Sequence, residues 1–455
     1  MTLKMLLKTL PEWLDYIEKS HPVEIEFGLD RINRVARLLG LPVNTQLIDS
    51  SFYKQDSECK TNELLIATKV ITVGGTNGKG SCVAILDSIL RQAGYKVGCY
   101  TSPHLIKFNE RITINGLNSS DIDICLAFEK INQARKSISL SYFEFSTLAA
   151  LLIMSKSNLD IAILEVGLGG RLDAVNIIDP QLSIITGIAL DHQQWLGSDL
   201  DSIAAEKAAI GRPGITMLYG DKKPVYGLVQ AAKNLNVKLL LNGKDFCFED
   251  FDIPNFTSLP HPSITCAVKA SKIINPDISK EVLNKGLNNT KINGRFHKIK
   301  FKGINIILDV AHNPQASSML AERLLDLKLK NKVIAITGMM SDKDIIGILR
   351  PLVRISHSWH FCSTPNNERA CSAKKIAGMF KEAYDTEYSK NSYIDDDLDT
   401  KNLSPASKSS DKYEHFKVED ALELALKLNN KEDTIVIFGS FLIVGAALNW
   451  LNKIN

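Results

Sequence analysis

The residue types best suited to chemistry are gathered in one short stretch, Gly74-Gly75-Thr76-Asn77-Gly78-Lys79-Gly80-Ser81, set between the runs Val70-Ile71-Thr72-Val73 and Cys82-Val83-Ala84-Ile85-Leu86. A β-rich run, glycines around one lysine and then a helical pattern bring backbone N–H groups and a helix N-terminus around a phosphate. Lys79 would meet phosphate oxygens as a point charge, and Ser81 would offer a hydroxyl to Mg²⁺. The segment departs from the strict P-loop string G-x-x-x-x-G-K-[ST], since it reads Gly75-x-x-Gly78-Lys79-Gly80-Ser81. The same glycines would also suit plain close packing of a strand against a helix.

Five further places carry candidate groups. Glu165 is the odd residue of the apolar run Ile161-Ala162-Ile163-Leu164-Glu165-Val166, and its desolvation must be offset by a metal ion or a buried cation. Glu144, in Tyr142-Phe143-Glu144-Phe145, reads as a helix-start cap. His192 stands just beyond an expected strand end, where a lone histidine is more often structural, and Mg²⁺ prefers oxygen donors. Lys207, in Ala204-Ala205-Glu206-Lys207-Ala208-Ala209, reads on spacing alone as a helix-face lysine paired with an acid. Asp309-Val310-Ala311-His312-Asn313-Pro314 follows an apolar strand, so its polar groups either face a crevice or cap a helix.

These groups need elements to hold them. Apolar periodicity gives two helices within residues 12–40, broken at His21-Pro22, a polar loop over 43–67, and helices at 82–93, 121–136 and 144–156. Strands are expected at 96–100, 161–166 and 182–186, and Thr101-Ser102-Pro103-His104 is an irregular loop at a strand end, near the first one. A second α/β unit begins after Gly294-Arg295-Phe296, with strands at 304–310, 332–338, 357–363 and 434–438 and helices at 316–327, 373–383 and 418–428. Strands alternating with helices and ending in polar loops make an α/β protein with a parallel sheet. The expected division is 1–295 and 296–455, with a flexible, Ser/Asp/Lys/Asn-rich insertion near 391–412.

At 455 residues the chain exceeds one ordinary core, and its 45% hydrophobic and 23% charged content is that of a globular protein. A net charge of +3, without basic blocks, argues against nucleic acid. No apolar run is long enough to span a bilayer, and the N-terminus makes a poor signal peptide. The eight cysteines are scattered without metal-ligand spacing, as reduced thiols of a cytoplasmic protein would be.

Taken together and in order, the strings resemble the bacterial dihydrofolate synthase and folylpolyglutamate synthase family within the Mur-type ligases. They are Gly75 through Ser81; Tyr100-Thr101-Ser102-Pro103-His104-Leu105 with Asn109-Glu110-Arg111-Ile112; Phe143-Glu144-Phe145; and Leu164-Glu165-Val166-Gly167-Leu168-Gly169-Gly170-Arg171-Leu172-Asp173-Ala174. Asp191-His192, Glu206-Lys207, Gly294-Arg295-Phe296, Asp309 through Pro314, Gly338-Met339-Met340-Ser341-Asp342-Lys343-Asp344 and Ile437-Phe438-Gly439-Ser440-Phe441 complete the set.

The resemblance implies a P-loop-type ATPase domain with a parallel-rich central sheet, followed by a smaller Rossmann-like α/β domain. It implies a cytoplasmic, monomeric ligase that uses ATP and Mg²⁺, with an acyl-phosphate intermediate. Its substrates would be dihydropteroate, reduced folates and L-glutamate. By analogy Gly75, Thr76, Asn77, Gly78, Lys79, Gly80 and Ser81 hold the triphosphate, and Ser81, Ser102, Glu165 and His192 hold the metal. Arg295, Asp309 and His312 would serve ATP from the hinge and the second domain, while Ile25, Glu26, Phe27 and Phe143 would face the pterin. Lys207 matches a lysine that CO₂ carboxylates, which would turn a cation into a ligand for a second metal ion. Lys79, Lys207 and His192 would then be catalytic.

Two positions depart from the pattern: Ser263 stands where relatives often have an asparagine near the nucleotide, and Ala209 where glycine is common. Other readings are a Mur-type ligase with a different acceptor, a folylpolyglutamate synthase with that single activity, and a nucleotide-binding regulator without catalysis.

Overall fold

The computed structural model describes residues 8–23, 26–43, 64–251, 253, 259–365, 367–389 and 411–454. The chain forms two compact units, Met1–Lys291 and Ile292–Asn455. The division therefore falls ahead of the expected 295/296. Gly294 and Phe296 are tied to the second unit by hydrogen bonds from Val310 N–H to the Gly294 carbonyl (2.8 Å) and from Phe296 N–H to the Asp309 carboxylate (2.8 Å).

The first unit runs α1 (Leu10–Lys19), α2 (Asp30–Leu38), β1 (Lys69–Gly74), α3 (Lys79–Gln92), β2 (Val97–Tyr100), β3 (Ile112–Ile114), β4 (Leu117–Asn118), α4 (Asp121–Arg135), α5 (Tyr142–Ser155) and β5 (Ile161–Glu165). It continues with β6 (Leu182–Ile185), α6 (Gln193–Leu196), α7 (Leu200–Ala208), β7 (Thr216–Tyr219), α8 (Tyr226–Asn234), β8 (Lys238–Leu241), α9 (His261–Ile274) and α10 (Lys280–Asn289). One eight-stranded sheet has the order β4-β3-β2-β5-β1-β6-β7-β8. The strands β2, β5, β1, β6, β7 and β8 are parallel, with β3 and β4 as an antiparallel margin. Central strands covered on both faces read as continuous apolar runs, as in Val70-Ile71-Thr72-Val73. The chain leaves β1 for β2, returns to place β5 between them, and then adds β6 on the other side, so the carboxyl ends of β5, β1 and β6 surround a switch point.

The expected helix pair at 12–40 is present as α1 and α2. Trp13 and Ile17 of α1 and Ile32 and Val35 of α2 are buried with Phe128 and Phe145 in one core. Trp13 meets Phe128 with ring centroids 5.9 Å apart, and truncating such a ring costs ~3–5 kcal/mol. Of the loop expected at 43–67, residues 44–63 lie outside the described residues.

The second unit runs β9 (His297–Phe301), β10 (Ile304–Asp309), α11 (Pro314–Asp326), β11 (Val333–Thr337), α12 (Ile345–Leu349), β12 (Ser358–Cys362), α13 (Ala373–Ser389), β13 (Asp411–His415), α14 (Val418–Leu428), β14 (Thr434–Phe438) and α15 (Phe441–Ile454). Its sheet has the order β13-β12-β11-β14-β10-β9, parallel except for β9. Asp411 and Lys412, expected at the end of the insertion, instead begin the edge strand β13 and pair with Ser358 and Trp359. A polar sequence suits an exposed edge. The rest of that insertion, 391–410, lies outside the described residues. Among the described residues no helix is long and apolar enough to cross a membrane, and the seven described cysteines are free, six of them buried.

Candidate functional site

The loop that follows β1 can be built only with glycine at its two bends. Gly75 has φ +137°, and a Cβ there would fall 2.1 Å from the Thr186 hydroxyl; Gly78 has φ +85° and caps the start of α3. Thr76 N–H donates to the Gly187 carbonyl (2.8 Å), and the Thr76 hydroxyl accepts from Ala189 N–H (3.0 Å). The stretch after β6 thus holds the loop from one side. Lys79 Nζ folds back to donate to the carbonyls of Gly75 (3.0 Å) and Thr76 (3.3 Å). Behind it, the buried Ser81 hydroxyl has no hydrogen-bond partner among the described residues.

Glu165 closes β5 beside this helix start. A Cβ on Gly80 would lie 3.6 and 3.7 Å from the two Glu165 carboxylate oxygens, and Ser102 N–H donates to Glu165 Oε2 (3.1 Å). The parallel register β2-β5-β1 brings Ser102 and Glu165 to the same sheet edge as the loop. An unpartnered hydroxyl next to a buried carboxylate fits a hard divalent cation, whose other positions phosphate oxygens and water would fill. Among the described residues no cluster of three or more His, Cys, Asp or Glu side chains could hold a metal by itself. His192 sits at the turn ahead of α6 with φ +50°, its N–H on Asp191 (2.9 Å) and its Nε2 3.9 Å from Asp191 Oδ2.

Lys207 is not the surface lysine that spacing alone suggests. It is buried on α7, and its Nζ donates to the Gly75 carbonyl (3.2 Å). What brings α7 this close is Gly170: a Cβ there would meet the Glu206 carbonyl oxygen at 2.5 Å and Lys207 Cα at 2.9 Å. Arg171 secures the contact by donating to both the carbonyl and the carboxylate of Glu206. Burial first, and the neighbouring charge of Lys79 second, lower the Lys207 pKa to about 7, although Asp191, Asp173 and Glu206 oppose the shift.

An aromatic group packs just beyond the end of β5. Phe143 packs against Gly167, where a Cβ would lie 2.6 Å from the ring, and its ring centroid is 5.9 Å from that of Tyr100. Glu144 is the cap its position suggests, in a box with Ser141, and its carboxylate also reaches Arg31 (3.4 Å). Phe27 meets Trp195 edge-on at 5.6 Å. Glu26 is engaged by His21 (2.6 Å) and Arg31, and Ile25 lies outside the described residues. Asp173, to which its place in the string Leu164 through Ala174 gives no role, is buried with its carboxylate accepting from Leu168 and Val175 N–H groups (both 2.9 Å). Burial pushes its pKa up to about 6 despite those donors. Thr186 was missed outright; a hydroxyl after an apolar strand carries little signal until the strand's neighbour is known.

In the second unit Arg295, Asp309 and His312 come together. The Arg295 guanidinium lies 5.2 Å from the Phe441 ring centroid, with the His312 ring 6.2 Å from the same one. His312 Nδ1 donates to the Val310 carbonyl (2.8 Å), which fixes the tautomer of the ring. Asp309 accepts from Phe296 and Ala311 N–H groups; burial raises its pKa, and Arg295 and Arg323 hold it back. Asn313 caps α11 by accepting from Ala316 N–H (2.9 Å).

Residues 294–441, nearly all of the second unit, match the family model described as Mur ligase, glutamate ligase domain. It is 35% identical to the dihydrofolate synthase/folylpolyglutamate synthase of Haemophilus influenzae, over 95% of both chains. It is also 35% identical to the Escherichia coli protein of the same name, over 82% of this chain and 87% of that one. Among solved structures, E. coli FolC in complex with DHPP and ADP superposes with a TM-score of 0.83 at 30% identity, covering 98% of each chain. The Yersinia pestis bifunctional folylpolyglutamate synthase/dihydrofolate synthase complexed with AMPPNP and Mn ion gives 0.81 at 32%, also over 98% of each. The chain belongs to the dihydrofolate synthase/folylpolyglutamate synthase family.

Proposed function

We propose that the chain is a cytoplasmic, monomeric ligase, dependent on ATP and a divalent metal, that joins L-glutamate to dihydropteroate, giving dihydrofolate, and to reduced folates, giving polyglutamates. The observation that carries this reading is the convergence on one loop of Lys79, the unpartnered Ser81 hydroxyl, the buried Glu165 and the buried Lys207. The γ-phosphoryl group of ATP passes to the substrate carboxylate, ADP departs, the glutamate amine attacks the acyl carbon, and phosphate leaves as the amine loses its proton. Lys79 and the N–H groups of the loop hold the transferring phosphoryl charge. Ser81 and Glu165, with Ser102 and His192, hold the metal, which neutralises phosphate charge when bound. Arg295, Asp309 and His312 are the second unit's residues assigned to the nucleotide in this reading, and Phe27 and Phe143 supply apolar faces for the pterin.

Lys207 is carboxylated in this reading. Only a neutral amine attacks CO₂, and a pKa of about 7 makes much of the side chain neutral at physiological pH. The carbamate then serves as a further metal ligand.

The test is purified protein with ATP, Mg²⁺ and L-glutamate, offered dihydropteroate or tetrahydrofolate, with ADP release and product mass followed. Both acceptors should be extended by one glutamate. ADP release with neither refutes the ligase reading, and extension of tetrahydrofolate alone refutes the first activity. A ¹³CO₂-labelled carbamate signal lost in Lys207→Met would report the modification.

A further inference from the structure

Two hydroxyls outside the glycine-rich string reach its backbone from behind. Thr186 Oγ1, just past β6, donates to the Asn77 carbonyl (2.6 Å). Ser263 Oγ, in the first turn of α9, donates to the Gly78 carbonyl (3.1 Å), which also accepts the first helical bond, from Cys82 N–H (2.9 Å). Both hydroxyl residues are buried. The glycines make room for them: a Cβ on Gly75 would lie 2.1 Å from the Thr186 hydroxyl oxygen, and one on Gly78 would lie 2.9 Å from that of Ser263.

In a trans peptide the N–H points opposite to the C=O of the same plane. A hydroxyl that fixes the Asn77 carbonyl therefore turns the Gly78 N–H the other way, and one that fixes the Gly78 carbonyl does the same for the Lys79 N–H. Consecutive N–H groups held in this manner form an anion-binding concavity. Donation to each carbonyl also polarises its peptide, which strengthens the N–H on the far side.

On the ligase reading above, we propose that Thr186 and Ser263 are positioning residues for the nucleotide phosphates, each locking one peptide plane so that the Gly78 and Lys79 N–H groups face the ligand. Ser263 then acts through the loop backbone.

The variants Thr186→Val and Ser263→Ala remove the donors while keeping most of the volume. Calorimetry with AMPPNP and Mn²⁺ should show a dissociation constant raised ~3–10-fold in each, the scale of one net hydrogen bond. The affinity for dihydropteroate should stay that of the parent, the KM for ATP should rise with kcat retained, and Thr186→Ser should restore nucleotide affinity. Parent-like nucleotide affinity in both variants overturns the proposal. So does an equal loss of pterin and nucleotide affinity, which would mark a purely structural role. If the parent chain binds no AMPPNP, the ligase reading fails and the inference falls with it.

Discussion

The amine of Lys207 should weaken the folded chain, and replacing it by Met should stabilise the protein while ending ligation. Burial and the charge of Lys79 lower its pKa from 10.5 to about 7. The unfolded chain therefore holds a proton that the folded chain has given up between those two values. With ~1.4 kcal/mol per pH unit, the penalty is about 4 kcal/mol at pH 7 and about 3 kcal/mol at pH 8, and it fades above about pH 10. Below pH 7 it is fully present, so the parent gains stability as pH rises from 7 towards 10. Lys207→Met keeps the length of the side chain and loses one hydrogen bond, to the Gly75 carbonyl, worth about 1 kcal/mol. The net gain expected at pH 7 is thus about 3 kcal/mol.

Denaturant unfolding of parent and variant, in CO₂-free buffer with chelator so that the amine is unmodified, should show that gap and its closure as pH rises. The tryptophans Trp13 and Trp195 report on the first unit. A variant that is no more stable than the parent, with a difference flat in pH, would refute the claim that burial holds this amine neutral.

Other outcomes follow from the same geometry. Ser81→Ala removes an unpartnered buried hydroxyl, so the apo chain should be as stable or slightly more stable by thermal melting, while metal-dependent AMPPNP binding weakens. Gly170→Ala forces a Cβ within 2.5 Å of the Glu206 carbonyl and 2.9 Å of Lys207 Cα. Neither backbone atom can yield cheaply, so the melting midpoint and ligation should both fall. Asn313→Ala removes the cap of α11 and should cost ~1 kcal/mol of stability in the second unit, read by the fluorescence of Trp359 and Trp450.

How far the chain could be read from its residues depended on whether the signal was local. The strands 304–310, 332–338, 357–363 and 434–438 were legible because apolar runs between helices have few other uses, and they match β10, β11, β12 and β14 within a residue at each end. The strand β13 was not, because Asp411-Lys412-Tyr413-Glu414-His415 pairs on one side only and has the composition of a linker. Short β7 and β8 and the hairpin of β3 and β4 escaped the reading for want of length. At the site, the glycine string and Glu165 were legible as anomalies of type in context. Lys207 was not, because its burial depends on Gly170, which lies far from it in sequence, and helix spacing carries no trace of that contact. Thr186 was hidden for the same reason, and Ser263 stood out only as a departure from the family pattern, because the target of each is a backbone carbonyl distant along the chain.

Lys79 and Lys207, which meet at one carbonyl of the loop, act as one unit. Both Nζ atoms donate to the same Gly75 carbonyl, at 3.0 and 3.2 Å, so they cannot be further apart than those two bonds laid end to end. Two full charges at about 6 Å repel by about 3 kcal/mol at an effective dielectric of about 20, which adds to burial in favouring the loss of one proton from the pair. Lys79 is half-buried where Lys207 is buried, and the charge of Lys79 adds to burial in lowering the Lys207 pKa. Lys79→Met should then do more than weaken nucleotide binding. By removing the repulsion it should raise the Lys207 pKa and leave less neutral amine at pH 7, so the ¹³CO₂-derived carbamate signal should fall below that of the parent. An equal or stronger carbamate signal in Lys79→Met would show that the two amines are not coupled, and that burial alone sets the state of Lys207.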